Sequence, residues 1–312
     1  MHMPNQSKTK MLQSKMHIRL SRTGKNKTEK NQPTMLRFYT LPPAGVNYPY
    51  LLVNPNNYKA LYKIKFKHAI LDCGVEIFKH NPTLSDYPKS FLHRWKWKAK
   101  QLTEIFGERL WVTIPDYPDD YNPGQFGDNV TKTLRNIEEF IAVDGVNWLP
   151  SIQSRYLDKF SFLESCQKLK EIIGNYPQVA IGTVCKTNRL DFITYCCHAA
   201  RKHFPNSWIH AFGLTLKALA TLAKAISSWD SLVPECGRTK WRYRLIDSFD
   251  SLAYTFPRES HKPSCKNLDD RRKYFYAYLA HVQQIIAKQA NTSSATYETL
   301  LPFVQEYPSQ QQ

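Results

Sequence analysis

Three aspartates close three apolar runs along the chain: Asp72 in "HAILDCG" (68–74), Asp116 in "LWVTIPD" (110–116) and Asp250 in "RLIDSFDSLAY" (244–254). Two carboxylates facing one another suit attack at a sugar anomeric carbon. One adds to the carbon as nucleophile and stabilises the developing oxocarbenium charge, while the other moves the proton on the leaving group. A third carboxylate and an amide suit the edge of a nucleobase. An aspartate accepts from ring N–H and exocyclic amino donors, and Gln153, in "NWLPSIQ" (147–153), can bond a carbonyl. Gly182 in "VAIGTVC" (179–185) and Gly213 in "WIHAFGL" (208–214) let a flat ring come close to the backbone. A single acid at the end of a strand often caps the next helix. Most of these acids are followed by Gly, Pro or Ser, so the set reads as a site.

The runs that carry these residues, together with "YLLVN" (50–54), alternate with longer segments at 87–107, 130–143, 159–174, 190–204 and 213–226. Those segments repeat apolar residues every three or four positions, the helical period. Near-continuous apolar strands alternating with helices predict a parallel sheet covered by helices. Seven strands and a degenerate eighth over roughly 250 residues predict a (β/α)8 TIM barrel within the α/β class. No GxGxxG follows the first strand, which disfavours a dinucleotide-binding open sheet. In such a barrel the C-terminal ends of the strands share one mouth, and that brings Asp72, Asp116, Gln153, Gly182, Gly213 and Asp250 together. Asp247, three residues before Asp250, falls on the other side of the sheet by strand alternation, where capping or ion pairing suits it. Asp119 and Asp120 follow Pro118 and read as turn acids; His210 reads as a buried, hydrogen-bonded histidine.

Composition narrows the partner. A formal charge of +17 among 312 residues, with 42% hydrophobic residues, describes a folded basic protein suited to a polyanion, nucleic acid first. No apolar run approaches the ~18–20 residues of a membrane span. The N-terminus lacks an apolar signal core, and seven irregularly spaced cysteines fit reduced thiols in a cytoplasmic setting. Residues 1–38 are expected to form a basic, disordered arm able to touch phosphates. Residues 39–290 form the catalytic domain, with an insertion at about 227–243, and residues 291–312 form a polar tail. "RTKWRYR" (238–244), next to the Asp250 strand, puts Arg238, Lys240 and Arg242 forward as nucleic-acid contacts. "HRWKWKAK" (93–100) could stack on a base; the expectation is an amphipathic helix whose tryptophans face the barrel and whose lysines are solvated.

In order and spacing these segments resemble the tRNA-guanine transglycosylases and their relatives that insert 7-deazapurines into DNA. "LDCGVEIF" is similar to the family's Asp-Ser-Gly-Gly-Phe-Gln strand end, with Asp72 at the acid/base position. "VTIPDYPDD" resembles the strand whose aspartate recognises the base, which corresponds to Asp116. "WLPSIQS" resembles Gly-Ile-Val-Gln-Gly and places Gln153 on the base. "VAIGTVCK" stands for Ile-Gly-Gly-Leu-Ala, giving Gly182 a backbone contact, and "IHAFGLT" resembles Leu-Met-Gly-Val-Gly, with Gly213. "DSFDSLAYTFPR" resembles Asp-Met-Phe-Asp-Cys-Val-Leu-Pro-Thr-Arg and puts Asp250 on the nucleophile. The resemblance spans about residues 45–258. Val75 and Thr183 replace two of the family's glycines. The Cys-x-Cys-x-x-Cys zinc site beyond the nucleophile is reduced to at most one cysteine in "HKPSCKNLDDRRKYF".

The resemblance implies a pentosyltransferase that exchanges guanine in a polynucleotide for a 7-deazaguanine such as preQ0, through a covalent Asp250–glycosyl intermediate. It implies no metal and no other cofactor. "DSLAY" after Phe249 is similar to the DNA-modifying branch found in phages and bacterial modification clusters, so DNA is the expected substrate, with tRNA as the alternative. Accessory modification proteins are further expected partners. Two other readings are a nucleic-acid-binding barrel without catalysis, and a retaining glycoside hydrolase. The Asp72/Asp250 pair disfavours the first, and the strong basicity disfavours the second.

Overall fold

The computed structural model describes residues 36–79, 81–119, 122–229, 245–251 and 267–290. The basic arm up to residue 35, Arg238, Lys240 and Arg242, the remainder of the expected insertion from residue 230, His261 and the 291–312 tail lie outside the described residues. So do Asp120, Cys236 and Cys265.

Among the described residues, nine short strands alternate with helices. They are β1 (Arg37–Tyr39), β2 (Tyr50–Val53), β3 (His68–Leu71), β4 (Leu110–Thr113), β5 (Trp148–Leu149), β6 (Ser151–Ile152), β7 (Gln178–Ile181), β8 (Trp208–Ala211) and β9 (Ser248–Asp250). The helices are α1 (Glu76–Lys79), α2 (Lys89–Phe106), α3 (Asn129–Ile141), α4 (Lys159–Ile173), α5 (Leu190–His203), α6 (Leu216–Trp229) and α7 (Leu268–Ala290). Every strand pairing among the described residues is parallel. One sheet has the order β1-β9-β8-β7-β6 and the other β2-β3-β4-β5. Their edges touch twice. Thr40, directly after β1, bridges Leu51 of β2 in parallel, with Thr40 N donating to Tyr50 O at 3.2 Å and Leu52 N to Thr40 O at 3.1 Å. At the other side β5 runs into β6 through Pro150. Proline has no N–H to give the ladder, but its carbonyl accepts from Ala180 N of β7 at 2.8 Å.

Residues 36–38 correct the boundary of the arm. Phe38 and Leu36 are buried, β1 registers against β9 with Tyr39 opposite Asp250, and Phe38 packs on Phe249 (5.1 Å between ring centroids) and on Tyr278 of α7 (5.5 Å). The two apolar side chains at its end, Leu36 and Phe38, thus belong to the packed core. Among the described residues, the first strand is the one that the sequence pattern left degenerate.

Alternation divides the strands between two environments. Phe38, Leu51, Ala69, Val112, Trp148, Val179, Ile209 and Phe249 lie in the apolar core with the helices. The other positions of the strands bring polar and aromatic side chains together. Tyr39 packs against His68 (5.8 Å) and His210 (5.5 Å), His68 against Trp111 (4.3 Å), and Trp111 of one sheet against Trp208 of the other (5.9 Å). Arg37 lies over the Trp208 ring at 4.3 Å and over the Tyr50 ring at 5.2 Å, a cation held by two aromatic faces. Burial with Arg37 and His210 nearby lowers the pKa of His68 to about 3, so its ring is neutral and Nδ1 can accept from the Tyr39 hydroxyl at 3.0 Å.

The helices carry their own end signals. Asp128 caps α3 by accepting from Thr131 N, and Asp158 caps α4 by accepting from Phe160 N and Ser161 N. The tryptophans of α2 part company, against the expectation that both face inward. Residues two apart on a helix project about 200° apart. Trp95 is buried and donates from Nε1 to Thr113 O at 2.9 Å, whereas Trp97 is 58% exposed beside Lys98. No helix among the described residues is long and apolar enough to cross a membrane.

Candidate active site

The chain ends of β3, β4, β6, β7, β8 and β9 bring the sequence-selected residues into two linked groups. The first is Asp116, Gln153 and Gly182. Gln153 Nε2 donates to Asp116 Oδ2 at 2.6 Å, and both side chains are buried. Gly182, at the end of β7, makes room for them. A Cβ there would fall 2.9 Å from Gln153 Cδ and 3.1 Å from Asp116 Oδ2, and closer still to Gln153 Nε2. Burial raises the pKa of Asp116 to about 7; the Asp72 charge nearby adds to the rise, and the bond from Gln153 opposes it.

Asp72 is the more accessible acid, half-buried at the end of β3. Thr113 of β4 ties it in place: its hydroxyl donates to Asp72 Oδ1 at 3.3 Å and accepts from Cys73 N at 2.6 Å. Behind Asp116, the Tyr87 hydroxyl donates to the Asp116 carbonyl at 3.1 Å, and a small aromatic cluster of Phe78, Tyr87, Tyr117 and Phe126 supports the loop after β4. Desolvation raises the pKa of the Asp86 carboxylate, but the Tyr117 hydroxyl, Arg135 and Lys132 together hold it below its usual range, and it anchors that cluster at the surface.

The second group surrounds Asp250. Its Oδ1 accepts from Gly213 N at 2.9 Å and lies 3.4 Å from His210 Nε2. Gly213 therefore supports Asp250 rather than only backing a base, as the sequence resemblance suggests. It adopts φ +65°, and a Cβ on it would meet Cys185 O and Sγ at 2.6 Å, so no side chain fits. Cys185 in turn donates its N–H to Gly182 O at 3.2 Å, which joins the two groups into one mouth. Thr183 is buried and shares a 2.7 Å hydrogen bond with Ser154.

Several neighbours are structural. Asp247 points away from Asp250, as alternation requires. Its Oδ2 accepts from Arg201 of α5 at 2.6 Å and from Ile209 N at 2.8 Å. Asp119 is buried and holds two loops, accepting from Gly124 N at 2.7 Å and from Tyr156 N at 2.9 Å. Sequence reasoning missed Thr113, Cys185 and Ser248. Small residues next to strand ends leave no periodic signal, and only their contacts reveal them.

Cys73, Cys166, Cys185, Cys196 and Cys197 are free thiols, and burial raises the pKa values of Cys73, Cys166, Cys196 and Cys197. Among the described residues no group of three or more His, Cys, Asp or Glu side chains is placed to hold a metal ion. No protein-family model and no curated protein matches the chain. Among solved structures it is similar to an apo endo-beta-N-acetylglucosaminidase from Cordyceps militaris, 10% identical over 89% of this chain and 97% of that one, at a TM-score of 0.31, too low to bear on fold or function.

Proposed function

We propose that the two sheets are halves of one (β/α)8 barrel, and that the barrel is a base-exchange transglycosylase acting on guanine in a polynucleotide, DNA rather than tRNA. The barrel is supported by the Thr40–Leu51 bridge on one side and the passage through Pro150 on the other. With β5 and β6 taken as one broken strand, eight parallel strands follow in sequence order. The activity rests chiefly on one observation: a buried carboxylate and amide, Asp116 and Gln153, lie against a glycine that no side chain could replace, with Asp72 close enough to perturb Asp116. That is an arrangement a guanine edge can use. Asp116 would accept from N1–H and the exocyclic amino group, and the Gln153 amide would turn from Asp116 to O6.

The chemistry then needs the target nucleotide extruded, since C1′ is shielded within a stack. Asp250 Oδ2 attacks C1′; the C1′–O bond forms as the C1′–N9 bond breaks. The electron pair goes to the departing guanine, which takes a proton from Asp72. In the second half the incoming 7-deazaguanine gives its N9 proton to Asp72 and displaces the Asp250 carboxylate from C1′. The +17 charge suits a polymer of phosphates. The loss of the zinc-ligand cysteines and the "DSLAY" sequence after Phe249 favour DNA.

Incubation with labelled guanine and either duplex DNA or bulk tRNA tests the proposal. Label should enter DNA, and Asp250→Ala should abolish both uptake and any covalent protein–nucleic acid adduct. Uptake by tRNA alone would move the assignment to the tRNA enzymes, and uptake by neither polymer would overturn it.

A further inference from the structure

His210 is fully buried, yet its Nε2 makes no hydrogen bond, although Asp250 Oδ1 lies 3.4 Å away. Three contacts decide which of its nitrogens carries hydrogen. Trp208 Nε1, which can only donate, gives its hydrogen to Ser248 Oγ at 2.8 Å. Ser248 Oγ lies 2.9 Å from His210 Nδ1. With the Trp208 bond accepted on a lone pair, the Ser248 hydroxyl hydrogen is left to donate to Nδ1. His210 then carries its hydrogen on Nε2, which lies 3.4 Å from Asp250 Oδ1. In the opposite tautomer a nitrogen lone pair would face a carboxylate oxygen in a buried space, with Ser248 taking two donors and its own hydrogen unused.

We infer that Trp208, Ser248 and His210 form a relay that fixes one imidazole tautomer and thereby positions the Asp250 carboxylate for attack. His210 is a positioning residue in this scheme. Its role as an aid to catalysis rests on the assignment of Asp250 as nucleophile, but the tautomer does not. Gly213 N–H donates to Oδ1, and an Nε2–H on His210, 3.4 Å from the same oxygen, favours that placement of the carboxylate and leaves Oδ2 to form the bond to carbon. When that bond breaks again, the same two donors receive the returning negative charge. Aromatic and polar groups enclose the ring. Tyr39 of β1 meets it edge-on, Phe212 closes its far side at 4.6 Å, and Ser248 and Asp250 face it from β9. The charge of Arg37 is taken up between the Tyr50 and Trp208 rings.

Two measurements test the relay separately from the activity. In protein labelled with 15N-histidine, long-range 15N–1H correlation spectra should show His210, identified by its loss in His210→Gln, with a protonated Nε2 and an unprotonated Nδ1. A protonated Nδ1 with a bare Nε2 would overturn the proposal whatever the enzyme acts on. In single turnover on DNA, His210→Phe should slow formation of the Asp250 adduct on the order of 10²-fold while the KM for base stays the same. His210→Gln, whose amide nitrogen can reach the place of Nε2, should recover most of that rate. Equal losses in the Phe and Gln variants, scaling with their loss of thermal stability, would reduce His210 to a packing residue. If wild-type protein forms no adduct at all, the nucleophile assignment fails, and the spectra still decide the tautomer.

Discussion

Gln153 Nε2 stands 2.6 Å from Asp116 Oδ2, in a space that exists because residue 182 has no side chain. One hydrogen bond does not offset the desolvation of a buried carboxylate, so the Asp116 pKa rises to about 7. An acid with a folded pKa above its unfolded value of ~3.9 binds more protons in the native state. Stability therefore falls as the pH rises from about 4 to about 7, by on the order of 4 kcal/mol at ~1.4 kcal/mol per unit. Asp116→Asn keeps the shape and can still accept from Gln153. It should match the wild type near pH 4 and exceed it by a few kcal/mol at pH 8 in denaturant titrations. A difference that does not change with pH would refute the buried, proton-holding Asp116.

The same group predicts how base binding depends on acidity. Guanine offers donors to Asp116, so binding favours the ionised form and expels a proton wherever the free site holds one. Affinity should be flat above pH 7 and weaken about tenfold per unit below it. Calorimetry in two buffers of different ionisation enthalpy would detect the released proton near pH 6. The absence of any release would separate Asp116 from base recognition.

Asp72, Asp116, Gln153, Gly182 and Asp250 were legible because each closes an apolar run, and parallel strands must present such ends on one side. The helices were legible from their period. The interior was not. Near-continuous apolar strands suggest an aliphatic filling, yet Arg37, Tyr39, His68, Trp111, Trp208 and His210 meet one another there. Polar residues in strands look like solvent-facing positions in a sequence, and only the pairing partners show that they lie inside. The starting strand was missed for a related reason: Arg37 continues a run of cations, and its burial between two rings has no local signature.

Gly182→Ala should act through Gln153. The added Cβ cannot coexist with the amide in its present place, so the amide must leave Asp116 or the backbone must shift. Overpacking of this kind costs about 1–3 kcal/mol. If Gln153 is the obstacle, Gln153→Ala in the same chain should return most of that loss, although Gln153→Ala alone destabilises. Melting temperatures of the four proteins give the coupling directly; additive effects would mean that the clash lies elsewhere.

Arg201 and Asp247 lie behind the site, on the helix-covered side of β9, at 11% and 1% side-chain exposure. The Arg201 guanidinium reaches Asp247 Oδ2 at 2.6 Å and also donates to Ser207 O at 2.8 Å, so it fastens α5 to the turn before β8 and to the residue before β9. Arg201→Met removes the counter-charge from a carboxylate that stays buried, a change that costs about 3–5 kcal/mol. Asp247→Asn in the Met background removes the stranded charge and should recover part of the loss. The cost should fall on stability alone, because Asp247 and Asp250 project to opposite sides of the strand. At a temperature where the double variant is folded, its rate of adduct formation should equal that of the wild type. A rate lowered well beyond the unfolded fraction would mean that the pair also sets the position of Asp250.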